Sequence, residues 1–325
     1  MRRTRLRGFT RIDLGMAVVL LSILFGLALP ALQQGRAAST RQECADNLRR
    51  IARALHGFET TNQGELIRNL YGPQLAGPGD QAAHGGLTLL LPYLEQEELF
   101  HQYNFRVHLT DPANAKVTRT SIPTFECPSA PAGRLTLPGN ALGNPAWQGA
   151  ISDYASIRNF QYPLGPAHDP TGLGAFEQRL TFPEVAQVRV YRSMITDGAS
   201  TTIAHVERTG IPAVWVKGKQ LDDGSSVNTP VCNEPRGPWS GYSCIIVNTY
   251  SEDGMKSVPA GRCTINCRNV IGQYNHGGLY SFHPGGAYAS FMDGSVRFLR
   301  EGMSPYVLFA LGSRAGGEIV SPEDL

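Results

Sequence analysis

Asp197, Glu207, His283 and Asp293 are the residues of this chain best suited to do chemistry in a folded body. If they converge, three carboxylates and an imidazole make either a general acid/base pair or an oxygen-rich cation site, Ca2+ taking about six to eight oxygen ligands. Each also has a plainer role. Asp197 and Asp293 precede glycines, a turn signal, and His283 before Pro284-Gly285-Gly286 suits a loop residue bonded to backbone. The chain has no H-E-x-x-H, no G-x-S-x-G, no Walker loop and no dinucleotide fingerprint. We therefore expect a protein that is not an enzyme and needs no cofactor. A hydrolase built on His283 and Asp293, or Ca2+ held by the four residues, are the alternatives.

A carboxylate in an unusual place is Asp13, at the mouth of an apolar run. Leu14 to Leu32 contains no charged residue, and at ~1.5 Å per residue it matches a bilayer core. A cleavable signal has a shorter apolar region of about 7–15 residues. Arg2, Arg3, Arg5 and Arg7 precede Gly8, and Arg11 borders the run, a bias that keeps the N-terminus cytoplasmic and sends the rest outward. An acid inside a bilayer costs up to about 2.5–3.5 kcal/mol at mid-span and needs a partner. Cutting between Gly8 and Phe9 would supply one, because the new amine of Phe9 lies four residues before Asp13. An uncut anchor, or a signal peptide cut near Ala28-Leu29-Pro30-Ala31, are the competing readings.

The body beyond this leader is close to neutral. Of 29 Lys and Arg, four precede Gly8, and the remaining 25 face 27 Asp and Glu, which argues against a nucleic-acid partner. With 325 residues, 42% hydrophobic, the chain is not short of core, and 36 Gly with 22 Pro point to many turns.

The elements that must position these groups can be read from periodicity. Cys44, Leu48, Ile51, Leu55 and Phe58 recur at steps of three and four, giving one apolar stripe on a helix from about Ile12 to Thr61 that stops at Asn62-Gln63-Gly64. Two short helices separated at Pro92 are expected in GGLTLLLPYLEQEELFHQYNF. Asp111-Pro112 caps a helix through about Arg119. IPTFECPS reads as a strand, followed by strands at ISDYASI, QVRVYRS, STTIAHVE, PAVWVK, CIIVNTY and AYASFM. Turns fall at Asp197-Gly198, Asp223-Gly224, Asp253-Gly254 and Asp293-Gly294. AYASFM-DG-SVRFL reads as a hairpin with a two-residue type I′ turn.

The N-terminal G-F-T-x-I-D followed by the apolar run resembles a prepilin-type N-terminus, in type IV pilins and type II secretion pseudopilins. The resemblance implies that a prepilin peptidase cuts after Gly8 and methylates Phe9, that Asp13 serves assembly, and that Pro30 kinks the helix. Asp13 stands for the family's usual Glu and Arg11 for its usual Leu. Six ordered phrases, QECADNLRRIARALHGFE, LLLPYLEQEELFHQYNF, IPTFECPS, ITDGASTTIAHVE, FHPGGAYASFMDGSVRFL and ALGSRAGGEIV, resemble the bacterial domain of unknown function 1559 family. Its members join a prepilin-type N-terminus to a C-terminal H-x9-DG motif, matched here by His283 and Asp293-Gly294. The resemblance implies a pilin-like, membrane-linked envelope protein, and carries no established biochemical activity.

With the body outside the cytoplasm, the six cysteines favour disulfides over thiols. Many pairings are open. Cys263–Cys267 and Cys232–Cys244 close local loops, and Cys44–Cys127 would then join the long helix to the head. The alternative is zinc on Cys263-x3-Cys267 with Cys232 and Cys244. Trp147, Trp215 and Trp239 could stack on sugars or anchor a partner if exposed, and are core if buried.

The expected fold is α+β and pilin-like, a long N-terminal helix, transmembrane in its first half, packed on a large, mostly antiparallel β head. Residues 1–8 form the leader, 9–32 the membrane or assembly half of the helix, 33–64 its amphipathic half, and 65–325 the head, with an insert-like region at about 215–275 and a hairpin at 283–299. The expected protein sits in the inner membrane as a single-pass chain, N-terminus cytoplasmic, head periplasmic or extracellular, in company with other pilin-like subunits. A monomeric membrane-anchored module that binds a glycan or protein is the alternative.

Overall fold

The computed structural model describes residues 11–71, 83–138, 144–160, 174–176, 189–225, 237–259, 261–270, 276–318 and 320. Two compact units emerge, Met1–Gln42 and Glu43–Leu325. One helix, α1 (Arg11–Thr61, 51 residues), contributes to both and is continuous through Pro30. In the first unit Ile12, Leu14, Met16, Val18, Val19, Leu20, Leu21, Ile23, Leu24 and Leu32 are exposed. The side chains of Asp13 and Pro30 lie outside the described residues, as do Gly8 and Phe9. Among the described residues, no helix is long and apolar enough to cross a membrane.

In the second unit α1 changes character. Cys44, Leu48, Ile51, Leu55 and Phe58 are buried as their spacing predicts, and Ala45, Asn47, Ala52 and Ala54 widen the stripe. Small alanines let neighbouring segments approach the helix closely. Gly57 does so most directly, since a Cβ there would stand 2.7 Å from the Tyr93 ring. The helix stops where expected, at Gln63 and Gly64 in left-handed backbone, with Gly64 N–H donating to Glu59 O at 2.9 Å.

The chain then runs through β1 (Glu65–Leu66), β2 (Leu70–Tyr71), β3 (His84–Gly85), a 3-10 run at Gly86–Leu94, α2 (Glu97–Gln102), a 3-10 turn at Pro112–Asn114 and α3 (Ala115–Thr118). A further 3-10 turn spans Pro123–Phe125, before β4 (Tyr154–Phe160), β5 (Val190–Tyr191), β6 (Ile203–Glu207), β7 (Val214–Val216) and β8 (Lys219–Asp222). β9 (Cys244–Val247), β10 (His276–Gly277), β11 (Gly286–Phe291), β12 (Val296–Arg300) and α4 (Pro305–Gly312) complete it. The central sheet has the order β10-β9-β4-β6-β11-β12. Its β10–β9 and β9–β4 pairs are parallel and its other three pairs antiparallel.

Tyr154 packs into the cluster that holds α1, whereas Ala155, Ile157, Val206, Ala287 and Leu299 pack with Val307, Leu308 and Leu311 of α4. Alternate side chains of a strand take opposite faces, so the sheet is covered on both. That is why every residue of β6 is buried.

Three details depart from the sequence reading. Pro92 sits inside the 3-10 run, and the break comes at Glu95, in left-handed backbone. IPTFECPS is a turn instead of a strand: Pro123 fixes φ for it, and Phe125 N–H closes on Ile122 O at 2.8 Å. The hairpin loop has three residues, not two, because Phe291 N–H donates to Ser295 O while Gly294 alone takes positive φ. A type I turn with a left-handed third residue needs no strain at Asp293. Within the region at about 215–275, β9 pairs with β4 in the central sheet.

Candidate functional site

Where the head half of α1 meets the sheet, Cys44 and Cys127 form a disulfide, 83 residues apart in sequence. Cys44 is held by the helix, and Tyr154 Oη donates to its carbonyl at 3.3 Å. Cys127 follows the Pro123–Phe125 turn, which Asn47 on the next turn of α1 fastens by donating to Glu126 O at 3.0 Å. Its own N–H donates to Asp153 Oδ2 at 2.8 Å, and the same oxygen pairs with Arg134 at 2.5 Å.

Two of the predicted residues meet this disulfide. His283 Nε2 lies 3.1 Å from Glu207 Oε1 and 3.8 Å from Cys127 Sγ, and Glu207 Oε1 is 4.0 Å from the same sulfur. Glu207 ends β6, and its other oxygen accepts from Tyr288 N–H on β11 at 2.7 Å. Both side chains are buried. Burial pushes the Glu207 carboxyl up, against the opposing pull of the His283 hydrogen bond. The loop reading of His283 holds for its backbone but not for its ring, which bonds a carboxylate and not a carbonyl.

The second disulfide supports this arrangement. Cys263 and Cys267 are joined, which removes their thiolates from the zinc reading. Asn266 inside that small loop takes left-handed backbone and donates to His283 O at 3.2 Å and Gly286 O at 3.1 Å, while its Oδ1 accepts from Ser281 N–H at 2.7 Å. One side chain thus fixes both ends of the loop that presents His283. Cys232 lies outside the described residues, so its pairing with the buried Cys244 does too.

Asp197 and Asp293 do not join Glu207 and His283. Asp197 holds the C-terminal segment, accepting from Gly316 N–H at 2.8 Å and Gly317 N–H at 2.9 Å. Asp293 Oδ1 accepts from Ser295 N–H and Oγ at 2.8 and 2.7 Å. Partial burial raises its carboxyl, but the Ser295 bonds outweigh that and hold it below the ordinary value. The hairpin tip is tied to α1 by Arg192, which donates to Met292 O at 2.8 Å and pairs with Glu59 at 3.2 Å. The four residues, for which an acid/base or calcium group is the alternative to turn and packing roles, are split among three structural tasks, because each aspartate accepts from backbone N–H groups. Cys44 and Cys127 are the members of the real cluster that the sequence reading left out of it. Their signal was the pairing already expected for them.

Of the tryptophans, two are buried and Trp215 is half-buried. Trp147 and Trp239 are buried, donating to Thr118 Oγ1 at 3.1 Å and Thr120 O at 3.0 Å, and Trp215 lies edge-on to Phe282 at 4.8 Å.

Chemically the site is a buried acid–base pair pressed on a disulfide. Replacing Glu207 by Ala strips acceptors from His283 and from Tyr288 N–H, and is expected to destabilise the head by about 3 kcal/mol, against about 1 kcal/mol or less for Glu207→Gln. Because burial raises the Glu207 carboxyl, its ionisation costs the wild type stability as pH rises above 4.5. The gap between wild type and Gln variant in urea unfolding should narrow over that range.

No curated protein and no solved structure matches the chain. Residues 33–304, which include Cys44, Cys127, Glu207, His283 and the Asp293-Gly294 turn, match the family model described as protein of unknown function (DUF1559), and the chain belongs to that family.

Proposed function

We propose that this chain is a prepilin-like envelope protein, processed after Gly8 and acting without catalysis in assembly of a pilus- or secretion-type structure or in surface interaction. The observation that carries the reading is α1, one 51-residue helix whose first part exposes large apolar side chains and whose last part is core. An exposed apolar length of that kind calls for a lipid or helical neighbour. In this reading residues 9–32 cross the inner membrane once, and prepilin peptidase removes the basic leader. Asp13 then neutralises the Phe9 amine within a subunit or on a neighbouring pilin-like helix, with Pro30 bending the helix between lipid and head. The head stands on the periplasmic or extracellular side, where two disulfides are stable.

Intact mass and N-terminal sequencing of the protein from its native membranes should give a chain beginning at methylated Phe9. A start at Met1 or near Ala31 would overturn the processing step and the role of Asp13 with it. Asp13→Ala should abolish crosslinking between subunits while leaving the head folded.

A further inference from the structure

One ligand atom from each of Cys44, Cys127, Glu207 and His283 lies within 4.8 Å of the others, and all four residues are buried. We propose that, when the Cys44–Cys127 disulfide is reduced, these four side chains bind one Zn2+, so that the metal replaces the covalent link between α1 and the head.

The geometry is already most of a tetrahedral site. Zinc bonds of about 2.0–2.3 Å put neighbouring ligand atoms roughly 3.3–3.8 Å apart. The separations between Cys127 Sγ, His283 Nε2 and Glu207 Oε1 are 3.8, 4.0 and 3.1 Å. What must change is the spacing of the two sulfurs, from a bond of about 2.05 Å to roughly 3.7 Å. Side-chain rotation at both cysteines can share that. The ligand set, two thiolates, one imidazole and one carboxylate, suits zinc better than calcium or magnesium, which prefer oxygen alone. The outer contacts are in place as well. Tyr288 N–H orients the Glu207 carboxylate, and Asn266 fixes the His283 loop. Such contacts set ligand direction in metal sites.

The chemistry balances with a dithiol reductant. It delivers two electrons and two protons, the S–S bond opens to two thiols, and the reductant leaves as its own disulfide. Zn2+ then displaces the two thiol protons and takes His283 as neutral imidazole through Nε2, with Glu207 as carboxylate. The proposal is independent of pilin-type processing, since it rests on residues of the head unit alone.

The test uses the full chain purified anaerobically in mild detergent with a phosphine reductant, then titrated with Co2+ and Zn2+. The reduced protein should bind one metal with tetrahedral cobalt bands and thiolate charge transfer, displaced stoichiometrically by Zn2+, and the oxidised protein should bind none. His283→Gln should weaken binding at least tenfold and shift the cobalt spectrum. Cobalt bands unchanged in His283→Gln, or equal binding by oxidised protein, would overturn the site. X-ray absorption of the zinc-loaded wild type needs no variant to fold: two sulfur and two nitrogen or oxygen neighbours are expected, and four sulfurs would assign the metal to other cysteines.

Discussion

Replacing both Cys44 and Cys127 by alanine is expected to destabilise the head by about 4 kcal/mol, and replacing Cys263 and Cys267 by about 2. The difference follows from what each bridge denies the unfolded chain. The first joins residues 83 apart and the second residues 4 apart, so the entropy withheld from the denatured state is much larger for the first. The native contacts around Cys44 do not depend on the bond, since Asn47, Leu48 and Ile51 still pack and Tyr154 still reaches the Cys44 carbonyl. The variant should therefore fold, with a steeper urea dependence because its denatured state is more open. Fluorescence of the buried Trp147 and Trp239 reports the transition in detergent-solubilised full chain. Equal losses for the two pairs, or a larger loss for the short loop, would show that the Cys44–Cys127 link acts through native strain or local packing and not through the denatured chain.

The residues that revealed themselves in sequence did so through local rules. The apolar stripe of α1, its stop at Asn62-Gln63-Gly64, and the Asp111 cap on Pro112, whose side chain accepts from Ala113 N–H at 2.8 Å, are set by neighbours within a few positions. All four Asp-Gly turns carry glycine at positive φ, at Gly198, Gly224, Gly254 and Gly294. The failures are of another kind. IPTFECPS has strand-like residues, but a proline and the stacking of Phe125 on Trp239 decide for a turn. The helix α4 escaped notice because it is apolar on all sides, buried under the sheet, and so lacks a helical stripe. At the site, Glu207 and His283 were recognisable as candidates by type, whereas their contact spans 76 positions and depends on the register of β6 against β11. That register, and the meeting with the Cys127 sulfur that follows the Pro123–Phe125 turn, cannot be read from spacing. Asp197 and Asp293 differ from Glu207 in the sequence by the glycine that follows each, a turn signal. What separates them in the fold is that loop N–H groups satisfy the aspartates, Ser295 for Asp293 and the distant Gly316 and Gly317 for Asp197.

His205 makes the second large prediction: in His205→Leu, the difference in unfolding free energy from wild type should move by about 3 kcal/mol in the variant's favour between pH 7 and pH 4. His205 lies in the middle of β6, fully enclosed, with the Phe176 ring 5.2 Å away. Burial alone drives its imidazole down to about 3. Nδ1 has no hydrogen-bond partner among the described residues, so nothing there compensates a charge. The unfolded chain takes up the proton near 6.5 and the folded chain does not, so folding releases it. Stability from this group is complete above 6.5 and is lost as pH falls towards 3. His84, down to about 4 through burial despite its bond to Phe105 O, works in the same direction. Glu207 and Asp153, raised by burial, work in the opposite one. The wild-type curve therefore mixes both, and the difference between wild type and His205→Leu isolates one imidazole, because the other groups are common to both proteins. A difference that stays flat from pH 7 to pH 4 would mean that the ring is charged inside the sheet. In that case water or an anion must reach β6 from the α1 side or the α4 side, and the tight coverage of both faces that buries this strand would be wrong.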